Sequence, residues 1–205
     1  MLTLYSMPSS GNSYKVRLLL AHLKIPFRVI ETEYAGGREL TKTAEFRAKN
    51  PHGRVPLLEF DDGRLLSESN AILCYLAEGT RFLPDENFAR AKVLQWMFWE
   101  QNAHEGAIAV RGAILRYPER AHLRTPQVLD PLLASGNHCL GVMETQLKDT
   151  PYLAGEALTV ADICLYGYTH SARKGGFDLD AFPALIAWLA RVASEPGHVP
   201  LEWKP

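Results

Sequence analysis

The stretch LTLYSMPSSGNSYKVRLLLAHLKIPFRVI, residues 2–30, decides the fold. Leu2 to Tyr5 and Phe27 to Ile30 are short runs rich in β-branched and aromatic residues, and they read as strands. Between them Val16, Leu19, Leu20 and Leu23 recur at i, i+3, i+4 and i+7, which predicts a helix with one apolar face. A strand, a helix and a strand with short connections make a parallel βαβ unit with a right-handed crossover.

Working outward, a second helix is expected around Leu40 to Ala48, ending before Asn50-Pro51. Val55 to Phe60 and Arg64 to Leu66 flank Asp61-Asp62-Gly63, a hairpin signal with turn chemistry of its own. Ser69 to Ala77 closes the region as a helix with Ile72 and Leu76 on one face. The order βαβαββα fits a thioredoxin-like α/β domain. From Phe88 onward no convincing strand is found. Phe88 to Arg116 is long, helical and apolar on one side, and Thr125-Pro126 reads as an N-cap followed by an N1 proline. Thr159 and Pro183 open two further helices. The expected organisation is a thioredoxin-like domain at residues 1–79, a linker at 80–87 and an all-helical bundle at 88–205.

The chain has 205 residues, 22 of them basic and 23 acidic, so bulk charge selects neither nucleic acid nor a membrane surface. No apolar run approaches the roughly 18 residues a membrane span requires. Cys74, Cys139 and Cys164 sit in apolar helical patterns and read as buried thiols of a reducing compartment. The N-terminus is strand-like, without a basic segment leading into a long apolar one. A soluble cytoplasmic protein is expected.

Three segments carry chemistry. Ser9-Ser10-Gly11-Asn12 precedes a helix whose N-terminal N–H groups bear partial positive charge, so a hydroxyl there can donate to a thiolate. The plain alternative is that Ser10 only caps the helix. No cysteine stands at this helix start, so a protein-centred dithiol cannot form there. Arg54-Val55-Pro56 leads into a strand, and the proline either is cis in a tight turn or marks a strand edge in trans. Glu68-Ser69 opens a helix, which offers a hydroxyl beside backbone N–H groups, or simply an ordinary helix start.

In order and spacing these segments resemble the glutathione transferase family. The carrying residues are Ser9 to Val16, Asn50-Pro51 through Val55-Pro56, Leu66-Ser67-Glu68-Ser69-Asn70-Ala71-Ile72, and Tyr152-Leu153-Ala154-Gly155 through Leu158-Thr159-Val160-Ala161-Asp162. The resemblance covers essentially the whole chain and points to a serine-type member, with Ser10 at the thiol-contacting position. Ser9 and Asn12 are rivals, because a one-residue shift exchanges their roles. Tyr5, at a nearby strand end, ranks last.

The resemblance further implies a cis Val55-Pro56 bond that exposes the N–H and C=O of Val55 to the cysteinyl backbone of glutathione. Arg54 and Ser69 would meet ligand carboxylates, and Glu68 the ligand's ammonium. Where some relatives carry a histidine or lysine toward the glycyl carboxylate, Thr41 stands here, with His52 and Arg54 placed to compensate. Thr159 and Asp162 form a capping box with a folding role. Glu100, His104 and Arg111 are spaced to share a helix face, and His104, Arg111 and Trp99 are candidates for a second-substrate pocket. They could equally face a dimer partner or solvent.

The implied activity is transfer of glutathione, as co-substrate and without a metal, to a small apolar electrophile. The alternatives are a glutathione-dependent peroxidase or disulfide reductase, and a non-catalytic binding protein of the same fold. A homodimer is expected.

Overall fold

The structure, a computed structural model, describes residues 1–32 and 40–205. The chain divides into two compact units, Met1–Glu78 with Glu195–Pro205, and Gly79–Ser194. The sequence reading carried the helical domain to residue 205, whereas the last eleven residues belong with the first unit. The reason is polar as well as apolar. Tyr14 and Arg17 donate to the carbonyls of Val199 and Leu201, and no local sequence pattern reveals those bonds.

In the first unit the elements are β1 (Leu2–Ser6), α1 (Gly11–His22), β2 (Phe27–Glu31), α2 (Ala44–Lys49), β3 (Leu57–Glu59), β4 (Leu65–Ser67) and α3 (Ser69–Ala77). They give the expected order βαβαββα. The sheet runs β2-β1-β3-β4, with β1 parallel to β2 and antiparallel to β3, and β3 antiparallel to β4. Strand alternation sets the two faces. Tyr5 and Leu57 lie opposite each other and pack with Phe46 of α2. Leu4 and Leu58 take the other face, both fully buried. Phe60 and Arg64 close the hairpin around Gly63, whose φ of 83° is the left-handed geometry that glycine adopts without steric cost.

Helix α1 departs from the expectation of one apolar face. Burial takes in Gly11 and every residue from Ser13 to Leu20, including Lys15 and Arg17. The helix packs against α3 and, through Tyr14 and Arg17, against the C-terminal segment.

Tyr5 is fixed by a polar brace. Its hydroxyl donates to Glu59 Oε2 at 2.7 Å, and Lys49 Nζ donates to the same oxygen at 2.8 Å. The bond from Lys49, then that from Tyr5, holds the Glu59 carboxyl below its usual range, while burial and Glu59 push the Tyr5 phenol up. A depressed carboxyl stabilises the fold above its unfolded pKa, about 4.3, and the benefit is lost as pH falls through the folded value. Glu59→Gln is therefore expected to lower Tm by a constant amount between about pH 6 and 9, with the difference closing below about pH 4. A series of melting curves across pH checks this.

The second unit contains no strand among its described residues. Its long helices are α4 (Asn87–Trp99), a π-helical segment Glu100–Ala109, α5 (Val110–Arg116), α6 (Pro126–Asp149), α7 (Val160–Thr169) and α8 (Pro183–Ser194). Thr125 and Pro126 take the N-cap and N1 positions of α6, although Thr125 makes no side-chain capping bond. The capping box at α7 is complete. Thr159 Oγ1 accepts from the Ala161 N–H, and Asp162 accepts from the Thr159 N–H at 3.0 Å. Cys139 and Cys164 are buried and Cys74 is half-buried; none is in a disulfide among the described residues, and the Cys164 thiol donates to Glu100 Oε2 at 3.3 Å. No helix among the described residues is long and apolar enough to cross a membrane.

Candidate active site

The sheet register gathers the three candidate segments. Tyr5 near the end of β1 pairs with Leu57 at the start of β3, which pairs with Ser67 at the end of β4. The loop into α1, the Val55-Pro56 turn before β3 and the β4–α3 junction therefore emerge at one end of the sheet. A direct bond ties two of them together, since the Ser69 hydroxyl donates to Asn12 Oδ1 at 3.2 Å.

Ser10 is the N-cap of α1, with φ −84° and ψ 120°. Its N–H closes a turn onto the Met7 carbonyl at 3.2 Å, and its Oγ accepts from the Ser13 N–H at 3.2 Å. The half-buried hydroxyl still has its hydrogen to give, and no described residue accepts it. The first turn of α1 carries no acidic side chain, so the positive end of the helix dipole is not neutralised there. Ser9 occupies the preceding turn, also half-buried. Asn12 uses its side-chain carbonyl to hold Ser69. Tyr5 donates its proton to Glu59, which withdraws it from any thiol.

The Val55-Pro56 bond is cis. Among the described residues, no hydrogen bond uses the Val55 N–H or C=O. The loop before it is organised by Asn50, a buried residue to which the sequence analysis gives no bonding role. Asn50 Oδ1 accepts from the His52 N–H at 3.2 Å, and Nδ2 donates to the Arg54 carbonyl at 2.9 Å. This leaves the side chains of His52 and Arg54 exposed. Gly53 (φ 61°) meets the Thr41 backbone so closely that a Cβ would lie 3.0 Å from the Thr41 oxygen. Thr41 is itself buried and offers no side chain to a ligand beyond that loop.

Glu68 adopts φ 70° and ψ 112°, a positive φ for a residue with a Cβ, and caps α3 without a side-chain bond. Such strain gathers at ligand-gripping positions. Glu68 is exposed and Ser69 buried, and the first turn of α3 also lacks an acidic residue. The strained φ had no sequence signal, since glutamate is not a residue that marks such a turn.

The residues assigned to a second-substrate pocket fare differently. His104 is fully buried and its Nε2 lies 2.9 Å from Thr169 Oγ1, which itself donates to the Leu165 carbonyl. Arg111 is buried, donates to the carbonyls of Gly175 and Leu129, and stands 5.7 Å from the Phe177 ring centroid. Both are braces inside the helical unit: His104 has no exposed surface, and the Arg111 guanidinium is spent on backbone carbonyls. Their shared spacing assumed α-helical turns, whereas the π-helical stretch, with its i→i+5 bonds, rotates side chains differently. Trp99 is half-buried against Trp96, 5.3 Å between ring centroids. No group of three or more potential metal ligands occurs among the described residues.

Comparison with known proteins places this arrangement. The glutathione S-transferase N-terminal domain matches residues 4–81, and the glutathione S-transferase C-terminal domain matches residues 115–196. The chain belongs to the glutathione S-transferase family. A glutathione S-transferase from Pseudomonas fluorescens is 46% identical and superposes with a TM-score of 0.92, covering 98% of each chain. A theta class glutathione S-transferase from Xanthomonas axonopodis pv. citri, solved with glutathione bound, is 27% identical with a TM-score of 0.86, over 96% of this chain and 94% of that one. The disulfide-bond oxidoreductase YfcG of Escherichia coli is 30% identical, over 96% of this chain and 92% of its own.

Proposed function

We propose that the first unit binds glutathione at this end of the sheet and holds its sulfur as a thiolate for transfer to an electrophile. The observation that carries the reading is Ser10. One of its two lone pairs accepts from the Ser13 N–H, and its hydrogen, which no described residue accepts, is left to donate at an unneutralised helix start. Both features favour a thiolate over a thiol and would lower a pKa that is about 8.5 unperturbed. The ligand's cysteinyl backbone would pair with Val55 as a short added strand. Ser69 and Arg54 would take carboxylates, Glu68 the ammonium, and His52 the open side of the loop.

The thiolate sulfur then forms a bond to an electrophilic carbon, the leaving group departs with its electron pair, and the thiol's proton passes to solvent. Rate is gained from thiolate fraction and alignment. The electrophile is taken to be small and largely apolar. Family likeness supports a cytoplasmic homodimer with no nucleic-acid or membrane partner.

A second reading, glutathione-dependent reduction of disulfides or peroxides, is favoured by the similarity to YfcG. With Ser9-Ser10-Gly11-Asn12 in place of a cysteine motif, both electrons would come from two glutathiones. The first thiolate breaks the S–S bond and displaces one sulfur as a thiolate that takes a proton. The second attacks the mixed disulfide, displacing the other sulfur and releasing oxidised glutathione. With a peroxide the first thiolate breaks the O–O bond, and the second glutathione condenses with the resulting sulfenic acid, releasing water and oxidised glutathione. Parallel assays with an aryl halide and with a glutathione mixed disulfide decide between them. Transferase function predicts conjugation faster than reduction. Reduction alone assigns the same thiolate to redox chemistry, and neither reaction leaves a binding protein.

A further inference from the structure

The C-terminal segment reaches the loop that carries Ser10 through one buried arginine. Arg17 lies on α1 with 3% of its surface exposed. Its Nη1 donates to Ser6 Oγ at 2.5 Å and to the Met7 carbonyl at 3.3 Å. Its Nη2 donates to the Pro8 carbonyl at 3.4 Å and to the Leu201 carbonyl at 2.8 Å. The guanidinium thus spans the residues immediately before Ser9-Ser10 and a backbone group 184 positions away. Arg17 forms no ion pair among the described residues, and its Nε has no hydrogen-bond partner there. Burial pulls its pKa down, partly offset by Tyr14, Glu31 and Glu202. A buried cation held by carbonyls rather than by a carboxylate is costly to desolvate. Its geometry is that of a clamp, using the planar fork that lysine lacks.

The segment that supplies the last carbonyl is itself tied down. The Tyr14 hydroxyl donates to the Val199 carbonyl at 2.7 Å. Trp203 stands 6.1 Å from Phe27 between ring centroids, and Lys204 pairs with Glu31 at 2.5 Å. Arg17, Ser6, Pro8, Leu201 and Trp203 line one shallow depression where this segment meets the loop before α1.

We propose that Arg17 is a positioning residue for thiol activation, and that the C-terminal segment, through the Leu201 carbonyl, locks it against the Met7–Pro8 carbonyls and so fixes the Ser10 hydroxyl. This rests on the reading of Ser10 given above. The chemistry stays with Ser10 and the helix start; Arg17 and residues 199–205 set their geometry.

The experiment follows the ultraviolet thiolate band of bound glutathione across pH in three proteins: the wild type, a deletion of residues 199–205, and Arg17→Lys. Lysine keeps the charge and loses the fork. Both variants are expected to raise the midpoint by about one pH unit, a roughly tenfold smaller thiolate fraction near neutrality, with glutathione affinity measured at high pH within about twofold of wild type. An unchanged midpoint in Arg17→Lys overturns the proposal even if the deletion fails to fold. So does a loss of affinity or melting temperature with no movement of the midpoint, the pattern of a merely structural role. If the wild type shows no band, the Ser10 reading fails as well, and that outcome is distinct because it needs no variant.

Discussion

Ser10→Gly is expected to lower conjugation at neutral pH roughly 10- to 100-fold, the range set by a hydrogen bond to a charged group worth about 1.5–3 kcal/mol. Ser10→Ala should lose as much activity. The two variants differ in stability because Ser10 has two tasks. Its Oγ also satisfies the Ser13 N–H at the start of α1. Alanine at an N-cap costs about 1 kcal/mol, whereas glycine costs only a few tenths. Steady-state turnover and melting curves together therefore separate the cap from the chemistry. Equal losses of turnover with unequal losses of Tm assign the thiol contact to Ser10. Turnover unchanged in both would move that contact to Ser9 or Asn12, and the hydroxyl of Ser10 would be a cap alone. Part of the lost rate should return at alkaline pH, where free glutathione ionises without help.

The largest effect on stability is expected at Asp162, which lies outside the site. It is fully buried and accepts from the Leu153 N–H at 2.9 Å, the Thr159 N–H at 3.0 Å, the Thr159 hydroxyl at 3.2 Å and Trp188 Nε1 at 2.9 Å. Burial pushes its carboxyl pKa up, and these donors pull it back. Asp162→Ala leaves three buried N–H groups without this acceptor, at about 1–3 kcal/mol each. The sum is comparable to the whole stability of an ordinary domain, about 5–15 kcal/mol. At this chain length the expected fall in Tm is at least about 6 °C. Asp162→Asn keeps one carbonyl oxygen but turns an amide group toward a donor, and its loss should be intermediate. Differential scanning calorimetry measures both. A shift of only a degree or two in Asp162→Ala would mean that other groups satisfy those donors.

Much of the fold was legible because it rests on local chemistry. Alternation in Leu2 to Tyr5, the Asp61-Asp62-Gly63 turn, the proline after Val55 and the box from Thr159 to Asp162 each act within a few residues, and each lies where its residue types predict. The places of Ser10, Val55 and Ser69 in the fold were legible for the same reason, since all three sit at element boundaries. What escaped the sequence depends on distant partners. Arg17 looks like the solvent face of an amphipathic helix until the carbonyl of Leu201 is brought against it. His104 and Arg111 look like cleft residues until Thr169 and Gly175 are found beside them. The positive φ of Glu68 comes from how β4 hands the chain to α3, and no side chain there advertises it.

The central claim is that this protein binds glutathione with its sulfur ionised. An ultraviolet difference titration of the wild-type protein with reduced glutathione across pH tests it directly. The expected result is a thiolate band with a midpoint near pH 6–7, below the roughly 8.5 of a free thiol. Binding without that band, or with a midpoint no lower than that of free glutathione, would contradict it.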